Sequence, residues 1–190
     1  MRKFIHLRGG MAVGKTSTAR AVISQGNYEV RFVEIAGKNY PYTYDSKKRW
    51  VVTGRYDKTI CGGCDGIITN RAIMMAYLHK LMKDVKPDVI VFEAVMYGKT
   101  FKFGKECAAL CESKGYEYIG VLLAPELDVA LQNVYMRNGG KAINVDAFVK
   151  VYQSGIDSAK KLKEAGVKIV VEDASAYELN ELYRIVEKQV

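Results

Sequence analysis

Long hydrophobic runs are missing from this 190-residue sequence: no stretch approaches the roughly 18 consecutive apolar residues that a membrane-spanning helix needs. The first residues, Met1-Arg2-Lys3-Phe4, lead directly into a strand-like run, with neither the apolar core nor the small-residue cleavage site of a secretory signal. A cytoplasmic location is therefore expected, the host cytoplasm if the protein is viral. Cysteine is too sparse for a secreted disulfide scaffold, with only Cys61, Cys64, Cys107 and Cys111. Internal repeats and low-complexity segments are absent as well, which excludes solenoids and disordered linkers. What remains is an ordinary globular composition, 49% hydrophobic and 26% charged, in a length that suits one domain over 1–190. A domain of this size buries roughly 70% of its unfolded surface and needs no covalent staples. Acidic charge is in deficit: 29 Lys and Arg face 21 Asp and Glu, for a net charge of +8. Such an excess favours a polyanionic partner, nucleic acid above all.

Apolar strand-like runs alternate with helical periods along the chain. Phe4-Ile5-His6-Leu7 ends at glycines and is followed by a helical stretch from Lys15 to Gln25; Tyr28 to Ile35 alternates as a strand. Residues 37–66 show no helical period and carry tyrosines, basic residues and glycines, which predicts a β-hairpin insertion near 37–64 with Trp50-Val51-Val52-Thr53 as one strand. Asp65 and Gly66 precede a helix, and Val89 to Glu93 has the continuously apolar interior of a strand covered on both faces. Further alternation predicts helices near 100–114, 127–137 and 148–162, strands near 118–123 and 167–171, and a closing helix over 177–190. The fold expected is α/β and three-layered: a central parallel sheet with helices on both faces.

Gly9-Gly10-Met11-Ala12-Val13-Gly14-Lys15-Thr16 fits G-x-x-x-x-G-K-[ST] at every fixed position, and it lies between the first strand and the first helix. Glycines let the backbone wrap a phosphate so that several N–H groups point inward, and the following helix adds its positive end. Lys15 is expected to reach the β and γ oxygens of ATP, Thr16 to ligate Mg²⁺, and Ser17 to assist at the α-phosphate. Glu93, at the end of a buried strand, is the natural second carboxylate, either for the metal shell or as a base for an acceptor hydroxyl. No N-K-x-D guanine-reading motif occurs, and no arginine-finger or oligomer signature of a motor is evident. A late basic segment, Arg137 and Lys141 around Gly139-Gly140, instead suggests the lid of a nucleotide kinase over about 132–145.

The most unusual segment runs from Gly54-Arg55-Tyr56 to Cys61-Gly62-Gly63-Cys64-Asp65-Gly66. Cys61 and Cys64, joined by Cys107 and Cys111, can be read as zinc ligands. Alternatively, the glycines bring backbone close to a planar base while small thiols pack beneath it, and Asp65 caps the next helix or activates a hydroxyl. Lys47-Lys48-Arg49-Trp50, with Tyr40, Tyr42, Tyr44 and Tyr56, reads either as a track for a phosphodiester backbone and an extruded base or as a solvated hairpin packed on the core. His6 and His79 fall on a strand and a helix face and read as structural.

The Arg-Gly-Gly phosphate loop, Gly-Arg-Tyr-Asp with Cys-Gly-Gly-Cys-Asp-Gly-Ile, and a strand ending Phe-Glu together resemble bacteriophage kinases of thymidylate-kinase type, a group that includes the 5-hydroxymethyluridine DNA kinases. The resemblance covers most of residues 3–140. It implies ATP-dependent phosphorylation of a hydroxymethyl group on a modified base in DNA, a step in viral thymidine hypermodification. It also implies an ATP site at Gly9, Gly14, Lys15 and Thr16, with Arg55, Asp65 and Glu93 near the acceptor and the metal. Thymidylate kinases proper carry an Asp-Arg pair after the strand equivalent to Val89–Phe92; here Glu93-Ala94-Val95-Met96 stands instead. A dianionic acceptor wants that arginine, whereas a neutral alcohol benefits from a carboxylate base. A deoxynucleoside monophosphate kinase and a nucleotide-binding regulator with little transfer activity are the alternatives.

Overall fold

The computed structural model describes residues 1–56, 63, 64 and 66–190. Among these, seven strands form one sheet in the order β2-β3-β4-β5-β1-β6-β7. Its centre is parallel: β1 (Arg2–Arg8) lies between β5 (Val89–Glu93) and β6 (Tyr116–Leu123), and β7 (Ile169–Glu172) follows on the far side of β6. β5 is buried along its whole length, as its unbroken apolar run requires.

The hairpin expected near 37–64 is present, and it belongs to the sheet itself. β2 (Tyr28–Ile35) pairs antiparallel with β3 (Lys38–Asp45), β3 with β4 (Trp50–Thr53), and β4 then runs parallel beside β5. The sheet is therefore mixed. Tyr40, Tyr42 and Tyr44 of β3 are buried in the core together with Val51, Met74 and Leu78.

Helices cover both faces. α2 (Arg71–Lys80) and α4 (Phe101–Ser113) pack on the side of Phe4, Phe92 and Tyr118, while α1 (Lys15–Ser24) and α7 (Tyr183–Glu187) cover Ile5, Leu7, Val91 and Val121. α5 (Leu127–Arg137) leads through the Gly139-Gly140 turn to the 20-residue α6 (Val145–Glu164).

Several boundaries differ from the periodicity for local reasons. α2 begins at Arg71 because Asn70 caps it, its Oδ1 accepting from Ala72 N at 2.8 Å and Ile73 N at 3.2 Å. The cap is thus Asn70, and Asp65, the residue expected there, lies outside the described residues. The same helix continues as a π-turn, Leu81–Val85, ended by Lys86 in the left-handed region ahead of Pro87. A short α3 (Val95–Gly98) follows β5. The closing helix shrinks to Tyr183–Glu187, preceded by a 3₁₀ turn at Ala174–Ala176 that Asp173 caps. No helix among the described residues is long and apolar enough to cross a membrane.

Candidate active site

The chain turns sharply where β1 ends. Gly9 (φ 122°), Ala12 (φ 57°) and Gly14 (φ 98°) occupy the left-handed half of backbone space, and α1 starts directly after Gly14. α1 has no side-chain cap and no acidic residue in its first turn. Its first N–H groups and positive end therefore face the loop, which is the arrangement that favours an anion. Lys15 is only 3% exposed and arches back over the loop, its Nζ donating to the carbonyl of Gly9 at 3.2 Å and to that of Gly10.

The loop is clamped from behind. A Cβ on Gly10 would lie 3.0 Å from Tyr152 Cα, and one on Gly155 would lie 3.1 Å from Gly10 N. Helix α6 thus rests on the first two loop glycines with backbone touching backbone, which only glycine permits. Asn133 of α5 adds a hydrogen bond from Nδ2 to the Ala12 carbonyl at 3.2 Å.

Glu93 ends β5 beside this loop. It is 2% exposed; its Oε1 accepts from Thr16 Oγ1 at 3.2 Å and its Oε2 from Tyr56 Oη at 3.2 Å. Burial, then the neighbouring Glu93 carboxylate, hold the Tyr56 phenol well above its usual range, so it remains a donor to Glu93 at neutral pH. Two hard oxygen donors meet at Thr16 and Glu93. Adjacent ligands of an octahedral Mg²⁺ lie about 3 Å apart, given metal–oxygen distances near 2.1 Å. The observed 3.2 Å separation fits that demand after a small adjustment.

Glycines close the other side of Glu93. A Cβ on Gly63 would lie 2.2 Å from Glu93 Oε2, and a Cβ on Gly54 would lie 2.4 Å from the Gly63 carbonyl oxygen. Both residues have positive φ, and Cys64 N donates to the Glu93 carbonyl at 3.2 Å. The glycine-rich sequence thus brings backbone against Glu93 itself. Cys61, Gly62 and Asp65 lie outside the described residues.

One cleft of about 1120 Å³ joins these parts. Loop residues Met11 to Ser17 form its floor, Gly66, Glu93, Val95 and Met96 one end, and Ala174, Ser175 and Tyr177 the other. Arg137 and Asn138, at the end of α5, also line it. Arg20 also lines it and was not anticipated; its signal was its place one helical turn after Thr16, on the same face of α1. The segment at Ala174–Tyr177 had no motif to announce it and is brought in by the strand order, where β7 ends near the loop.

Other sequence candidates are not among the residues that line the cleft. Lys141 is exposed and is not among the residues that line the cleft. Arg55 is exposed, just beyond the end of β4. Trp50 stands in register with Val89, at the end of β5 opposite Glu93, so the Lys47–Trp50 tract lies at the other edge of the sheet from Glu93. Lys48 bonds the Gln25 carbonyl at 2.7 Å and lies over the Trp50 ring, while Arg49 pairs with Asp88 at 3.1 Å. These interactions hold the turn.

Cys107 and Cys111 are fully buried on one face of α4, and burial pushes both thiols up. Cys64 joins the same apolar cluster, and no group of three metal-ligating side chains occurs among the described residues. His6 is buried, with Nδ1 2.8 Å from Tyr118 Oη; burial, then the charges of Arg8 and Lys15, hold its pKa well below the usual histidine range.

No protein-family model and no curated protein matches the chain. Solved structures do. The chain is similar to the tunicamycin resistance protein of Deinococcus radiodurans, with a TM-score of 0.56 at 14% identity over 100% of this chain and 95% of that one. It is also similar to the deoxyadenosine kinase of M. mycoides, solved with bound dCTP, with a TM-score of 0.50 at 9% identity over 98% and 97% of the two chains. At these identities the likeness concerns the fold, and it agrees with the loop geometry: the chain has the α/β fold of the P-loop kinases.

Proposed function

We propose that the protein transfers the γ-phosphate of Mg·ATP to an alcohol, namely the hydroxymethyl group of 5-hydroxymethyluracil in DNA. The observation that carries this reading is the position of Glu93. One carboxylate oxygen meets the Thr16 hydroxyl of the phosphate loop and the other faces Tyr56 of the acceptor loop, at one end of a single cleft. Thr16 and Glu93 would hold Mg²⁺, which when bound neutralises charge on the phosphate oxygens. Lys15 and the loop amides orient the triphosphate, and Arg137 with Arg20 faces the cleft where negative charge spreads during transfer. The acceptor oxygen forms the new bond to the γ-phosphorus, the bond to the bridging oxygen of ADP breaks, and the hydroxyl proton passes to Glu93.

Val95 and Met96, which line the acceptor end, supply no positive charge of the kind a monophosphate acceptor wants. That favours an alcohol over a nucleoside monophosphate. A base in a duplex must leave the stack to reach such a cleft, or be presented on a single strand.

A panel of acceptors incubated with γ-labelled ATP tests the proposal. Label is expected in hydroxymethyluracil-containing oligonucleotide and not in free deoxynucleoside monophosphates. Label in monophosphates alone would replace this reading with a nucleotide kinase. Tight ATP binding without transfer to any acceptor would indicate a nucleotide-binding regulator.

A further inference from the structure

A second cleft, of about 430 Å³, opens beside the first between the start of α4 and the outer face of α6. Lys99 and Phe101 form one wall; Lys150, Ser154, Ser158 and Lys161 form the other, together with Gln153 and Asp157. The single acid there, Asp157, accepts from Gln153 at 2.9 Å, so the three lysines outweigh it.

Behind this wall lies an unusual cation. Arg8 is fully buried, and its partners are neutral: Nη2 donates to Ser158 Oγ at 2.7 Å and to the Thr100 carbonyl at 3.2 Å, and Nη1 lies 3.4 Å from Tyr118 Oη and 3.3 Å from His6 Nδ1. Arg8 Nε has no partner. Ser158 lines the cleft, and Thr100 sits between two residues that do. Among the described residues no carboxylate neutralises this guanidinium. A buried charge met only by dipoles is costly, and its field extends into the adjacent cleft, where the three lysines add to it. The structure is thus prepared for an anion that the fold itself does not provide.

We propose that this cleft is a phosphodiester track, which holds the nucleic-acid strand next to the acceptor end of the catalytic cleft. The inference rests on the DNA-kinase reading and deepens it. The two clefts share α3: Val95 and Met96 face the first, and Lys99, immediately after this helix, faces the second. Four helical residues rise about 6 Å, so a strand leaving the acceptor site meets Lys99 within a short reach. Lysines spread along two walls, with no convergent arginine fork, suit a flexible chain of single charges better than one free phosphate dianion. Phe101, half-buried on the wall, offers a ring against which a sugar or base can pack.

The test uses a fluorescein-labelled single-stranded oligonucleotide carrying hydroxymethyluracil, titrated by anisotropy between roughly 50 and 200 mM KCl. The protein is compared with the triple variant Lys99→Ala/Lys150→Ala/Lys161→Ala. The variant is expected to bind about tenfold more weakly or worse at the lower salt, and its log–log salt slope is expected to shrink by about 2, near 0.7 for each single-strand phosphate that a lysine no longer neutralises. Mg·ATP affinity should stay within about twofold, which reports an intact fold. Equal oligonucleotide affinity and slope in the two proteins would overturn the track and leave the kinase reading standing. Weakened oligonucleotide binding in the variant, with no label transfer to DNA by the parent protein, would uphold the track and remove the kinase reading. Absence of salt-dependent oligonucleotide binding in the parent protein, or saturation by inorganic phosphate alone, would overturn the track.

Discussion

Thr16 Oγ1 and Glu93 Oε1 lie 3.2 Å apart although they belong to elements far apart in the chain, one on the first turn of α1 and one at the end of β5. Parallel pairing of β1 with β5 creates this meeting: Leu7 is in register with Glu93, so both strands deliver their ends to the same edge of the sheet. Substitutions at that junction have distinct expected outcomes.

Glu93→Gln keeps the shape and a hydrogen-bonding oxygen but removes the charge. Phosphoryl transfer should fall by about two orders of magnitude or more, and the Mg²⁺ concentration needed for half-maximal activity should rise. Steady-state kinetics across a Mg²⁺ titration would show this. A variant with unchanged rate and unchanged metal requirement would remove Glu93 from both roles.

Lys15 is buried over the phosphate loop rather than waving in solvent. Lys15→Ala should therefore cut transfer by about 10²–10³-fold while circular dichroism and thermal midpoint stay near those of the parent protein. Turnover preserved in a folded variant would contradict the assignment.

Gly63 has no room for a side chain, because a Cβ would meet the Glu93 carboxylate at 2.2 Å in a backbone conformation that L residues avoid. Gly63→Ala should cost about 1–3 kcal/mol of stability and lower activity together, since Glu93 must move. Gly37 is the control: it also has positive φ, but open space surrounds it. Gly37→Ala should destabilise without affecting turnover. Denaturant melts paired with kinetics separate the two cases.

Much of this site was legible because short-range chemistry defines it. The G-x-x-x-x-G-K-T spacing needs only one strand and one helix to make sense, and Glu93 ends a run too apolar to be anything but a buried strand. The far side of Glu93 was harder to read. The glycines at 54 and 63 signalled a close approach of backbone, yet Gly54 closes on Gly63 and Gly63 on Glu93, which is distant in sequence and brought near where β4 pairs with β5. Trp50 and its basic neighbours read by composition either as a nucleic-acid track or as a hairpin packed on the core, and only strand direction shows where they lie: β4 runs parallel to β5 and puts Trp50 at the edge opposite Glu93. Arg8 was read as part of the Arg-Gly-Gly loop, and nothing local announced its burial. Its partners come from α6, β6 and the residue before α4, which only the folded chain brings together.

His6 makes stability pH-dependent in a window of its own. Its folded pKa lies well below the ordinary value near 6.5, so below that pH the unfolded chain binds more protons and stability falls as pH decreases. The slope approaches about 1.4 kcal/mol per pH unit at most. Asp45, Glu106 and Glu117 have pKa values held below the ordinary carboxylate range, so their contributions are lost only at lower pH. Urea melts between about pH 6.5 and 5.5 should show a decline that His6→Asn flattens. A decline of equal slope in that variant would assign it to another group.

The central claim is that this cleft phosphorylates an alcohol on a DNA base, and locating the transferred phosphate tests it most directly. An oligonucleotide with one hydroxymethyluracil is incubated with the protein and Mg·ATP, digested to nucleosides, and weighed by mass spectrometry. The account predicts one added phosphate on the modified nucleoside, and none when thymine replaces it or when Glu93→Gln is used. An unmodified nucleoside, with phosphate instead on an added deoxynucleoside monophosphate, would contradict it.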